Sequence, residues 1–320
     1  THTPPPPPPP PPRHSTRRQR QMCIRDSIKA LEARLKIAGT LPVNVVVVAE
    51  GEEEIGSPNL VPFVKEYRDR LACDAVVISD SSMFARGSPS LLFSLRGLAY
   101  FEFHVQGPGG DLHSGSYGGA VVNPANALAH IIDSLKNPDG SVAIPGFYDD
   151  VLEWDEKTRD AIRALPFDMD GFLDEVGAPG LNGEAGFTLL ERLWIRPTCD
   201  VNGMLSGYTG EGAKTVLPAH AMAKVSFRLV PNQDPIRVGA LLRAHVEAIA
   251  PAEVEVTVEE HHGGRPWKAE LEGRFFEAAQ RALEIAFGRP PVLTGEGGSI
   301  PIVVDFQEIL EAPVLLMGFA

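Results

Sequence analysis

Three consecutive glutamates, Glu52, Glu53 and Glu54, follow the apolar run 41–49, and Asp80 closes a second apolar run, 75–79. Carboxylates this close repel one another, and keeping them at a buried strand end is costly unless positive charge sits among them. A divalent cation would supply that charge. Successive loop side chains point in different directions, so one carboxylate can ligate metal while its neighbour faces a water molecule. Metal-assisted hydrolysis divides its labour in this way: the ion lowers the pKa of water and a carboxylate takes the proton. Three glutamates alone also fit a solvated acidic loop; Asp80 on the adjoining strand favours the metal.

Both apolar runs have the unbroken hydrophobicity of a strand buried on two faces. Between them, Ser57 and Pro58 read as N-cap and first helical residue, and Leu60, Phe63, Val64, Tyr67 and Leu71 share one helical face. Strand, helix and strand make a βαβ unit with parallel strands, which predicts both carboxylate groups at the carboxyl edge of one sheet. Upstream, Ile28, Leu31, Leu35 and Ala38 have helical spacing and Gly39 stops the helix. Beyond residue 95 the texture changes. Phe101, Phe103 and Val105 alternate with Glu102 and His104; Ala223, Val225, Phe227 and Leu229 alternate with Lys224, Ser226 and Arg228; Val254, Val256 and Val258 do the same. With helical patterns over 126–135 and 235–249, these strands predict a ferredoxin-like α+β layer. Residues 136–199 carry no clear pattern. After 260, Phe275, Phe276, Ala279, Leu283 and Phe287 line a helix ended by Gly288, and 314–317 is another buried strand. The expected fold is α/β: a parallel-sheet α/β/α sandwich over 28–96 and 259–320, interrupted by an α+β lid and dimerisation domain over 97–258.

Composition narrows the function. The 320 residues carry a formal charge of −13, 43% hydrophobic and 22% charged residues. Nucleic acid is excluded as a partner, because phosphate neutralisation needs clustered Lys and Arg. No apolar run reaches eighteen residues, so no membrane helix is expected. Cys23, Cys73 and Cys199 stand far apart, which suits reduced thiols and a cytoplasmic setting. Residues 1–27, with nine prolines in a row from Pro4 to Pro12, read as a disordered or artefactual leader outside the fold.

Five stretches recur in order and carry a resemblance: Glu50-Gly51-Glu52-Glu53-Glu54-Ile55-Gly56-Ser57 with Val77-Ile78-Ser79-Asp80; Gly109-Gly110-Asp111-Leu112-His113-Ser114-Gly115; Gly212-Ala213-Lys214-Thr215-Val216-Leu217-Pro218; Phe227-Arg228-Leu229-Val230-Pro231; and Gly297-Gly298-Ser299-Ile300-Pro301. Together they resemble the M20 metallopeptidases, in the wording of the dipeptidase (carnosinase-like) branch. The resemblance implies hydrolysis of dipeptides by a homodimer with two divalent ions per site, zinc before manganese or cobalt. It makes Glu53 the general base and Glu54 and Asp80 metal ligands. His113 would reach into the partner subunit's site to stabilise the tetrahedral oxyanion, beside Thr215, while Arg228 and Ser299 would hold the substrate's C-terminal carboxylate. Taken alone, a His in a glycine-rich loop reads as structural and Arg228 as a polar-face strand residue. Other readings are an M20 amidase acting on N-acyl amino acids, or a non-catalytic peptide-binding or dimerisation protein on this fold. Neither glycine-rich loop, 107–119 or 295–299, is a phosphate cradle, for no Lys-Ser/Thr follows. His261 and His262 are adjacent and would splay apart rather than share an ion.

The sequence departs from the family at two places. A His and an Asp two residues apart and a bridging Asp would precede Ile28, and a final ligand His would follow the last strand; none is present. The chain is therefore expected to be a fragment with little or no activity of its own, since catalytic zinc sites use about three protein ligands per ion.

Overall fold

The computed structural model describes residues 16–52 and 57–318. Glu53 and Glu54, the expected base and ligand, lie outside the described residues. β1 (Val76–Ser81) and β2 (Ser90–Leu95) enter a first sheet, and at Arg96 the chain crosses into a second with β3 (Gly97–Gln106). There follow β4 (Leu112–His113), β5 (Thr198–Ser206), β6 (Val216–Leu217), β7 (His220–Leu229) and β8 (Glu255–Glu260). β9 (Trp267–Lys268), β10 (Val292–Glu296) and β11 (Val314–Gly318) return to the first sheet.

The first sheet has the order β1-β11-β2-β10, with β9 beside β2. β1 runs parallel to β11 and β2 to β10, but β11 meets β2 antiparallel, so this sheet is mixed. Neighbouring residues of a strand face opposite sides, and the packing obeys this. Leu92 and Leu316 share a core with helices Leu60–Glu66 and Ile302–Leu310, while Leu91 and Leu315 pack on helix Arg274–Phe287 through Phe276, Ala279 and Leu283. Helices on both faces make the α/β/α sandwich. No helix among the described residues is long and apolar enough to cross a membrane.

The second sheet is antiparallel in the order β5-β7-β3-β8. With helices Pro124–Asp133 and Pro235–Ile249 on one face, the chain order β-α-β-β-α-β is ferredoxin-like. Asn123 and Asp234 cap these helices, their side-chain oxygens accepting the N–H of Ala125 and Ile236 at 2.9 and 2.7 Å. The expected inward residues Phe101, Phe103, Val225 and Phe227 are fully buried beneath them. A two-stranded ladder of β4 and β6 extends beyond this layer.

Several local expectations differ. The run 41–49 is not a strand: Val43 and Val45 to Val48 are exposed, because no described strand offers them a ladder. The parallel βαβ unit is thus not formed at its first strand. The helix expected from Ile28 begins at Thr16, so part of the expected disordered leader is helical, with Gly39 ending it at φ 70°. Ser57 is not an N-cap. It sits at φ 50°, and Asn59 precedes the helix instead. Helices Glu156–Arg163, Met169–Val176 and Leu189–Trp194 fill the stretch that lacked a pattern. The first and third are tied by Glu191, wholly buried, which accepts from Arg159 at 2.8 Å and from the Thr188 N–H at 2.7 Å and pairs with Arg163 at 3.2 Å. Burial pushes the Glu191 carboxyl up, but those hydrogen bonds outweigh it and leave the pKa lowered.

Candidate functional site

The acidic loop is closed by its own side chains. The Ser57 N–H donates to the Glu52 carbonyl at 3.0 Å, Ser57 Oγ donates to Glu50 at 2.7 Å, and Asn59 Nδ2 donates to both Glu52 oxygens at 3.1 and 2.9 Å. Glu50 and Glu52 are thereby occupied, while Glu53 and Glu54 lie outside the described residues. Asp80, half-buried on β1, stands near enough to Glu296 for its charge to act there. Burial, with Asp80 second, pushes the Glu296 carboxyl up to about 7. Among the described residues no group of three or more His, Cys, Asp or Glu is gathered as metal ligands. The donors that do meet, two carboxylates in mutual repulsion, have the hard-oxygen chemistry that divalent cations prefer.

His113 and Thr215 are brought together by the β4–β6 ladder, which pairs His113 with Val216. The Ser114 N–H reaches the Thr215 carbonyl at 3.0 Å, and Asp111 accepts the Ala219 N–H at 2.9 Å, pinning the glycine-rich loop to the turn before β7. His113 Nδ1 accepts the Gly115 N–H at 3.1 Å. A neutral imidazole has one donor and one acceptor nitrogen, so the ring proton sits on Nε2, which lies 3.1 Å from Thr215 Oγ1. The result is an exposed N–H donor with a fixed tautomer. Among the described residues its hydrogen-bond partners are Gly115 and Thr215.

Arg228 and Ser299 meet across the junction of the two sheets, Nη1 to Oγ at 3.5 Å. Arg228 leaves β7 on the face away from the helices, and burial lowers its pKa. It makes no ion pair among the described residues. A guanidinium presents its donors in a fork whose geometry matches a carboxylate. His261 bonds Glu102 at 3.2 Å and sets its ring edge-on to Tyr100 with centroids 5.8 Å apart, whereas the His262 ring stacks on Tyr100 at 6.0 Å.

Two residues of this region were not picked out from sequence. Glu296 directly precedes the Gly297-Gly298-Ser299 motif, and that adjacency was its only signal. Arg96 is a single charge in the otherwise apolar stretch 91–101, at the point where strand texture changes.

Residues 93–254 match the family described as the peptidase dimerisation domain of the M20 group. The chain is 33% identical over 296 residues to the Cys-Gly metallodipeptidase dug1 of Schizosaccharomyces pombe, covering 91% of this chain and 62% of that protein. It is 30% identical over 295 residues to the human Beta-Ala-His dipeptidase, covering 91% of this chain and 58% of that protein. The structure of the dipeptidase Dug1p from Saccharomyces cerevisiae superposes with a TM-score of 0.79 at 30% identity, over 94% of this chain and 63% of that one. The chain therefore spans about six-tenths of the length of these relatives.

Proposed function

Since the chain belongs to the M20 peptidase family, we propose that it serves the metal-dependent hydrolysis of dipeptides. The observation that carries this reading is the Arg228–Ser299 pair at the junction of the sheets, a guanidinium with no ion pair among the described residues beside a hydroxyl. Such a pair selects substrates that end in a free carboxylate a short distance from the scissile bond. In this reading Glu53 takes the proton of the attacking water and passes it to the leaving amine. Glu54 and Asp80 would hold divalent ions, two per site and zinc first, which supply a more acidic water and a polarised carbonyl. His113 donates its Nε2 proton to the oxyanion that develops, and Thr215 fixes that donor's direction.

The remaining assignments follow from the same residues. The sandwich of 28–96 and 259–320 is the catalytic part, and 97–258 is the lid through which two copies join. β5 pairs only with β7 among the described strands and exposes Val201, Met204 and Leu205, which supports a homodimer contact there. That arrangement would let the exposed His113 serve the partner's site. Cys73 and Cys199 form no disulfide among the described residues, which fits the reading of reduced thiols and a cytoplasmic setting.

The test is turnover of Cys-Gly and of an N-acetylated amino acid after addition of zinc or manganese, with His113→Ala beside the unaltered protein. Preferential Cys-Gly hydrolysis that falls about 100-fold in kcat for His113→Ala is expected, the scale of one lost oxyanion donor. Preferential hydrolysis of the acetylated substrate would assign an amidase instead, and no metal-stimulated hydrolysis of either would reject the reading.

A further inference from the structure

Arg96 occupies the first crossing between the two sheets, after the end of β2 and before the start of β3. Only 8% of it is exposed, yet it has no ion pair among the described residues. Its donors go instead to carbonyls on both sides of the junction. Nε points at Gly297 O at 3.3 Å, and Nη1 at Arg192 O and Arg196 O at 3.4 and 3.5 Å, around the end of helix Leu189–Trp194. Its backbone N–H donates to Glu296 O at 3.1 Å. The loop that bears Ser299 is therefore held by Arg96 through main chain and side chain together.

The fit leaves no slack. A Cβ on Gly297 would lie 2.6 Å from Arg96 Nη2, and one on Gly295 would lie 2.6 Å from Trp194 Cβ. At the neighbouring crossing, a Cβ on Gly97 would meet Gly264 O at 2.6 Å, where Leu98 and Gly264 exchange hydrogen bonds at 2.8 and 2.9 Å. Glycines here permit backbones to touch. Burial, with the charge of Arg228 second, lowers the Arg96 pKa to about 10, the charge of Asp200 opposing them. Two guanidiniums thus stand near enough to repel one another at the junction, with the Asp200 carboxylate offsetting part of that charge, a field that an incoming anion relieves further.

We infer that Arg96 is a positioning residue of the carboxylate site: it fixes the 297–299 loop against helix Leu189–Trp194, so that Ser299 faces Arg228, and adds its charge to that of Arg228. This rests on the reading of Arg228 and Ser299 as the receptor for a substrate carboxylate. Arg96 does not touch the ligand. A lysine would keep the charge but, as a point donor, could not span three carbonyls.

The experiment is equilibrium binding, by NMR titration of this chain with glycylglycine and with its C-terminal amide, so that turnover is not needed. The chain should prefer the free acid, and Arg228→Met should abolish the preference. Arg96→Lys and Gly297→Ala, the latter pressing on the Arg96 guanidinium without removing its charge, should each cut the preference about tenfold, the scale of one charge-assisted hydrogen bond. Binding of the amide should stay unchanged. Should Arg228→Met lose the preference while Arg96→Lys and Gly297→Ala keep it, the positioning role is wrong and the carboxylate site stands. Equal weakening of acid and amide by both variants would mean mere structural damage, and also overturns it. No preference in the unaltered chain, or its survival in Arg228→Met, removes the carboxylate site and the role of Arg96 with it.

Discussion

The run 43–48 is more densely apolar than the β3 strand, yet the two meet opposite fates. Ala99, Phe101, Phe103 and Val105 of β3 expose 2% or less, while Val43 and Val45 to Val48 expose between 40% and 66%. Their difference lies in neighbours. β3 has β7 on one side along ten paired residues and β8 on the other, all within one contiguous stretch of chain. No described strand runs beside 43–48, and β1 pairs only with β11. A strand's backbone groups need a ladder, and hydrophobicity alone does not provide one. The ferredoxin-like layer needs no distant partner because its four strands pair with one another inside residues 97–260, with the Leu98–Gly264 bridge reaching just beyond.

The largest effect that would break this comparison lies in the layer's core. Phe227 is fully buried, with ring centroids 5.9 Å from Phe101 and 5.7 Å from Phe147. Phe227→Ala should cost about 3–5 kcal/mol, from lost transfer and the cavity left between rigid neighbours. Chemical denaturation followed by far-ultraviolet circular dichroism reads it. A loss below about 1 kcal/mol would mean that the layer is no more tightly packed than the exposed run.

Next comes Glu191, which holds helices that no pattern announced. Removing one member of a buried ion pair costs about 3 kcal/mol, so Glu191→Gln should destabilise on that scale. Its folded pKa is lowered from 4.5. A depressed carboxylate stabilises the fold above its unfolded pKa, and that contribution fades as pH falls through the folded value. The gap between Glu191→Gln and the unaltered chain should be full at neutral pH and narrow only below about pH 4.5. A gap that is constant down to pH 3 would remove the charge from the explanation.

What could be read in the sequence follows the same division. The inward alternation of Phe101, Phe103, Val225 and Phe227 needs only a period of two, and helix Pro235–Ile249 shows its limits in Asp234 and Pro235. The Arg96 contacts could not be read, because they are made to main-chain carbonyls at residues 192, 196 and 297, which carry no side-chain signature. The nearness of His113 and Thr215 depends on a two-residue ladder, too short for any periodicity. Helix Leu189–Trp194 was hidden although Thr188 and Glu191 form a capping box, since so short a helix displays barely two turns of pattern.

The smallest effect is the most informative about the run 41–49. Val47 exposes 63% of its surface and lines a cavity of about 590 Å³ between the run and helix Leu60–Glu66, whose wall includes Phe63 and Tyr67. If the run is unpaired, Val47→Asn removes little buried area, and exposed substitutions of this kind stay within about 0.5 kcal/mol. If the run instead forms a ladder with a partner strand in solution, the same change places an amide in an apolar interior and should cost about 1–3 kcal/mol. Amide hydrogen exchange at Val45 to Val48 gives the independent reading. Exchange at the rate of an open chain fits the exposed run, whereas protection matching that of β3 would mean that these valines have found a ladder.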